Sequence, residues 1–258
     1  MRETQFPVIA LGSVKPQPPD IEELGAWALK QCGKSADLTS WELESTLCDQ
    51  PPCLTEPCAA GEFYHNRISA AFGITDGRIA GGFENNFDEI ADDILKLQKI
   101  RRHFRWAVLV DCSICGSDNK KAGETEEEYC EVLSDLFRFM RDSGVDGHVL
   151  LGKPTEILLE TFRGSKYLWV AGPQDFESLL ETSSTLVCGT EDISFVEDLS
   201  DSYLIRKVLV KDADRASMER LLQTFDTDRL FCAGTAPESE RKEYWAALSE
   251  VSARLSDK

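Results

Sequence analysis

The apolar positions of the chain change their period near residue 105. Beyond that point, short unbroken apolar runs alternate with stretches in which apolar residues recur every three or four positions. The runs at 106–111, 147–151, 167–171, 185–188, 203–210 and 230–232 read as strands buried on both faces. Helices are expected between them at 125–142, 155–162, 174–181 and 214–225, with a last one at 238–255. The helix at 125–142 has a capping box in Thr125 and Glu128. Its stripe is Tyr129, Val132, Leu133, Leu136 and Met140, and Gly144 stops it. The last helix carries Tyr244, Leu248, Val251 and Leu255 on one face. Alternation of this kind specifies an α/β fold, a mostly parallel sheet with helices on both faces. Four runs end in glycine and a polar turn, at Gly152, Gly172, Gly189 and Gly234. These read as strand-to-helix turns at the carboxyl edge of one sheet.

Residues 1–104 are less regular. A strand over 6–14 meets Pro16, Pro18 and Pro19. A helix over 20–32 follows, with Ile21, Leu24, Ala28 and Cys32 on a face expected to point at the core. The stretch 33–61 is polar and proline-rich and reads as irregular loop. Strands at 68–74 and 78–83 form a hairpin through Thr75-Asp76-Gly77. A helix over 86–104 opens at Asn86 with Glu89 three residues on, and Phe87, Ile90, Ile94 and Leu97 share its face. Its acids stand at the start and Lys99, Arg101 and Arg102 at the end, which suits the helix dipole. The expected organisation is an N-terminal region over 1–104, with the hairpin and a Cys/Pro-rich loop, and an α/β layered domain over 105–258. The first region can equally belong to the same domain as the second.

Charge changes the picture of partners. The chain has 46 acidic and 28 basic residues, a net charge of −18, and no basic block. Such a surface repels nucleic acid and anionic membrane, so neither is expected as a partner. No run approaches the ~18 apolar residues of a membrane span. The first twenty residues lack the order of a signal peptide, so a reducing cytoplasm is the expected compartment.

Nine cysteines are the main hint of chemistry. Cys48, Cys53 and Cys58 stand at equal spacing in a loop stiffened by Pro51, Pro52 and Pro57. Cys112 and Cys115 form a Cys-x-x-Cys after a strand. Thiolates that converge bind zinc or an iron–sulfur cluster, and these five are the candidate metal ligands. His65 is a further candidate. The competing reading, ordinary thiols in a loop, is the larger expectation, because the spacing matches no established cluster signature. The Cys-x-x-Cys resembles that of thioredoxin-like proteins. It departs from them in lacking a preceding Trp and in the polar stretch 116–121, where those proteins begin a helix. Asp111-Cys-Ser-Ile-Cys115 resembles the Asp-x-Ser-x-Ser magnesium motif of von Willebrand A domains, with Cys115 in place of the last Ser. Gly147 to Pro154 has the glycine and lysine spacing of a phosphate-binding loop. It fails physically, because its middle is apolar strand and Pro154 replaces the hydroxyl residue. His103 reads as a helix-end residue and His148 as a core histidine.

Three functions remain open from sequence. One is an α/β protein that closes a thiolate site over zinc or an iron–sulfur cluster. Another is a non-catalytic interaction protein without metal. The third is a small-molecule enzyme with its site at the carboxyl ends of the strands.

Overall fold

The computed structural model describes residues 3–31, 37–75, 78–79, 83–111 and 122–254. In chain order the elements are β1 (Glu3–Gln5), β2 (Val8–Ser13), α1 (Ile21–Lys30), α2 (Leu38–Cys48), β3 (Cys58–Ala60), α3 (His65–Ala71), β4 (Ile74–Thr75), β5 (Arg78–Ile79), α4 (Asp88–Leu97), β6 (Arg105–Leu109) and α5 (Ala122–Asp142). They continue with β7 (Gly147–Leu151), α6 (Glu156–Thr161), β8 (Tyr167–Val170), α7 (Phe176–Thr182), β9 (Thr185–Cys188), α8 (Ile193–Leu199), β10 (Lys207–Lys211), α9 (Arg215–Leu221), β11 (Leu230–Ala236), α10 (Arg241–Ser249) and β12 (Ser252–Arg254).

The expected α/β class holds, and eight of its strands are parallel. They form two four-stranded sheets, β3-β6-β7-β8 and β9-β10-β11-β2. The sheets meet along both edges. At one seam Thr55 N–H donates to Val8 O and Ala10 N–H to Glu56 O, each at 2.9 Å. At the other seam β8 lies beside β9 with no hydrogen-bonded ladder between them among the described residues. Eight parallel strands therefore follow one another around a ring in chain order, and the last of them, β11, returns to β2. This is a (β/α)8 barrel. Residues 1–104 supply β2 and β3 to it. A short antiparallel clasp, Glu3–Gln5 against Ser252–Arg254, ties the two ends of the described chain together.

Closing the ring brings backbones close. Gly12 has φ +113°, and a Cβ there would lie 2.8 Å from that of Ala107 on β6. At Gly61 a Cβ would stand 1.9 Å from Ser13 O, so no other residue fits where β2 and β3 exit together. Gln50 completes this seam. Its buried side-chain amide accepts from Cys58 N–H at 3.0 Å and donates to Cys58 O at 2.6 Å and Thr46 O at 2.8 Å. One amide thus satisfies the backbone of the first residue of β3 as a neighbouring strand would.

Several expectations are corrected. The stretch 33–61 is not irregular: α2 and β3 lie within it. The face that α2 buries is largely polar, with Ser40, Glu42 and Thr46 beside Leu43 and Leu47, so no apolar stripe announces the helix. Residues 68–71 continue a helix, not a strand, and of the hairpin only the Ile74–Thr75 and Arg78–Ile79 pairing is described. Its turn residues Asp76 and Gly77 lie outside the described residues. Helix α1 buries none of its residues, and Ile21 is 90% exposed. Polar bonds hold it to α2 instead: Trp27 Nε1 and Gln31 Nε2 both donate to the Glu44 carboxylate. The C-terminal helix ends at Ser249, and the chain then forms β12. A helix absent from the sequence reading, α8, sits between β9 and β10. Gly234 is not a turn: β11 runs through it to Ala236.

Outside the barrel wall, His148 of β7 stacks on Phe137 of α5, ring centroids 4.1 Å apart, with Tyr167 on its flank. The ring is wholly buried, and neither nitrogen has a hydrogen-bond partner. This is the core histidine expected from its strand. Burial, and secondarily the charges of Arg141 and Arg105, push its pKa down to about 3 from an ordinary 6.5. The folded state therefore keeps it neutral while the unfolded chain takes up a proton below pH ~6.5, and stability falls as pH drops from there toward 3. His148→Phe should be close to neutral at pH 7 and more stable than wild type at pH 5 by on the order of 2 kcal/mol. Urea unfolding at both pH values checks this; an unchanged acid dependence in the variant would refute it.

Candidate functional site at the carboxyl rim of the barrel

In a parallel barrel every strand exit and every following helix start face the same end. That end of this barrel concentrates unusual backbone. Three non-glycine residues among those described have positive φ: Ala60 at 63°, Asp212 at 51° and Glu240 at 53°. Ala60 ends β3, Asp212 follows β10, and Glu240 precedes α10, so all three stand on this rim. Gly12 and Gly152, with φ of +113° and +123°, lie at the exits of β2 and β7. A left-handed conformation costs a side-chain-bearing residue roughly 1–3 kcal/mol and persists only where its surroundings impose it.

Asp212 shows what imposes it. Its backbone N–H donates to Ala233 O at 2.9 Å, which ties it to the neighbouring strand. Its carboxylate Oδ1 accepts from Tyr244 Oη at 2.5 Å. Tyr244 belongs to the first turns of α10, and its hydroxyl lies over Gly234, where a Cβ would stand 1.9 Å from it. Burial and the bond to Asp212 raise the Tyr244 pKa far above the ordinary tyrosine range, so it stays a neutral donor. The result is an exposed carboxylate at a strand end, oriented by a hydroxyl that cannot ionise. Nearby, Lys15 Nζ stands 3.1 Å from the buried Oε1 of Glu42; the two form an ion pair without hydrogen-bond geometry. Arg241, at the start of α10, pairs with Asp49 at 3.0 Å and donates to Val14 O and Pro237 O.

Three helix starts around this rim are already capped. Asp192 accepts from Gly189 N–H at 3.1 Å, Asp214 from Ser217 N–H at 2.7 Å and Thr155 from Leu158 N–H at 3.4 Å. These side chains occupy the amides a phosphate would need.

The sequence-derived candidates fall elsewhere. Cys48 and Cys53 are exposed, whereas Cys58 is wholly buried at the start of β3, its Sγ 3.5 Å from Ala59 O. Among the described residues no three His, Cys, Asp or Glu side chains are grouped to hold a metal ion. Cys32, Cys112 and Cys115 lie outside the described residues. Asp111, the described residue before Cys112, follows β6 at the carboxyl rim; Cys58 pairs with Arg105 at the opposite end of that strand, roughly 15–20 Å away. His65 opens α3 near the rim; its Nε2 lies 3.2 Å from Ser69 Oγ, and its Nδ1 is buried without a partner. His103 faces Asp146 at 3.3 Å at the other end of the barrel.

Asp212, Lys15 and Glu42 were not singled out from sequence, and Tyr244 was read only as part of the apolar face of the last helix. The available signal was the glycine of β11: a glycine inside a strand marks a close approach as readily as a turn. No family model matches the chain, and no curated protein is significantly similar to it.

Burial holds the thiols of Cys188 and Cys232 up at about 12, and that of Cys58 higher still. Cys48 is raised as well, by partial burial and by the Glu44 and Asp49 carboxylates. Among the thiols of the described residues, iodoacetamide at pH 7.5 should label the exposed Cys53 first and Cys48, whose pKa is raised, more slowly. Cys58, Cys130, Cys188 and Cys232 should react only after unfolding. Peptide mass spectrometry over time reads this order, and rapid native labelling of Cys58 would contradict it.

Proposed function

We propose that the protein is a small-molecule enzyme whose site lies on the carboxyl rim of the barrel, with Asp212 as its working carboxylate. The observation that carries this reading is the Asp212–Tyr244 pair: a strained residue at a strand exit, its carboxylate aimed by a half-buried tyrosine hydroxyl over Gly234. Strain of this kind is retained where the geometry of a side chain matters more than backbone comfort. Barrels of this architecture place their chemistry at this end, because eight loops converge there on a rigid scaffold. That support is architectural analogy and is weaker than the local geometry.

The chemistry is general acid–base catalysis. Asp212 accepts a proton from a bound substrate, and the neutral Tyr244 hydroxyl holds the carboxylate in place while its charge changes. The capped helix starts and the acidic side chains of the rim disfavour an anionic substrate. The substrate class is therefore a neutral or cationic polar molecule, such as a polyol or an amine, without a phosphate.

A thermal-shift screen of neutral and cationic metabolites, with Asp212→Asn and Tyr244→Phe in parallel, tests the reading. A ligand that binds only the native state raises the melting temperature of wild type, and Asp212→Asn should lose most of that rise. Once a substrate is in hand, the same variant should lower kcat about 10²–10⁴-fold. Tyr244→Phe should lower it less and change its pH profile. Stabilisation solely by anions, or hits indifferent to Asp212→Asn, would overturn the assignment.

A further inference from the structure

The opposite, amino-terminal mouth of the barrel has a different character. Two adjoining cavities open there, of about 230 Å3 and about 450 Å3, and they share Glu56, Arg105, Ser165 and Lys207 in their walls. The smaller one reaches between the barrel strands as far as Ile9 and Leu209. It lies at the seam where β8 and β9 have no ladder, lined there by Tyr167 and Leu168 on one side and Ser184 and Thr185 on the other.

The walls of this cleft are cationic although the chain carries a net −18. Arg105 is committed: its Nε lies 2.6 Å from Glu56, and its Nη atoms donate to Ser165 O and Lys166 O. Among the described residues Glu56 is the only carboxylate lining the smaller cavity, and this pair neutralises it. Arg206 and Lys207, at the entry of β10, are left over. Both are exposed, both line the smaller cavity, and neither has a carboxylate at ion-pair distance among the described residues. Lys207 Nζ instead stands over the Phe231 ring, 5.1 Å from its centroid, which fixes its direction without neutralising it. Lys166 adds a further cation to the larger cavity, where Asp146 also lies; its Nζ donates to the carbonyl of Asp146 at 3.2 Å. Ser165, Ser184 and Thr185 also line the smaller cavity.

We propose that this amino-terminal cleft is a binding site for a compact multivalent anion, one that presents phosphoryl or clustered carboxylate groups to Arg206 and Lys207. Unpaired cations in a concave wall are what such an anion requires, and the surrounding acidic surface makes them the local attractor. The cavity volume fits a group of pyrophosphate or citrate size and excludes a polymer. The site is separate from the carboxyl-rim reading and stands or falls apart from it, because the two lie at opposite ends of the strands.

Isothermal titration calorimetry at constant ionic strength tests it with pyrophosphate and citrate as probes and sodium chloride as the control. Wild type should bind at least one of the two saturably, one per chain, and chloride should give no saturable heat. Arg206→Gln/Lys207→Gln should weaken binding at least ten-fold, with its circular dichroism spectrum unchanged because both side chains are exposed. Asp212→Asn should bind as wild type does. Pyrophosphate alone would identify a phosphoryl site and citrate alone a carboxylate site; either upholds the proposal. No saturable binding by wild type, or equal affinity in the double variant, would overturn it.

Discussion

Everything in this molecule depends on the return of β11 to β2, which makes the first barrel strand of the chain the neighbour of the last. Its consequence is a pair of seams between two four-stranded sheets, and the two are closed differently. At β2–β3 the backbones bond directly and a buried glutamine side chain supplies the missing partner for Cys58. At β8–β9 the strands only abut. Every buried amide left over at a seam must find a substitute or a solvent-filled space. The first seam took the substitute and packs tightly enough that Gly61 admits no side chain. The second took the space, and the smaller cavity of the amino-terminal mouth lies against it.

The same closure explains where strain collects. Strands that converge on a ring must leave it sharply, and the residues that absorb the turn are Gly12, Ala60, Gly152 and Asp212. Glycine does this at little cost. Asp212 pays in backbone energy for something glycine lacks, a carboxylate, and the structure spends a tyrosine hydroxyl and the glycine of β11 on orienting it. No packing reason demands an aspartate there. That asymmetry is why the functional reading rests on this residue and not on the better-populated acidic surface.

The second half of the fold was legible because its strands are buried on both faces and its helices on one. Continuous and periodic apolar patterns then map directly onto structure, as in β7 and α5. The first half was not, because α2 buries Ser40, Glu42 and Thr46, while α1 turns Ile21 and Leu29 outward. A pattern rule inverts when polar contacts do the packing. Ring closure itself was hidden: eight strands in alternation with helices describe an open sheet as well as a barrel until β11 is seen beside β2. Of the candidate site, the glycine of β11 was visible and misread as a turn, since nothing local reveals that a tyrosine ten residues later will occupy its missing side chain.

Charge is also arranged along the barrel axis, and the helix dipole accounts for most of it. Helix starts face the carboxyl rim and favour acids such as Asp192 and Asp214; helix ends face the amino mouth and favour bases. That field fades within the last turn. Arg220, in the last turn of α9, fits it and is in any case paired with Glu197. Arg206 and Lys207 do not fit it: α8 ends at Leu199, several residues earlier, and no carboxylate among the described residues compensates them. Two adjacent cations at the lip of a cavity, unpaired among the described residues of a strongly acidic chain, are explained neither by the dipole nor by a salt bridge. What remains is a counter-charge that arrives from solution.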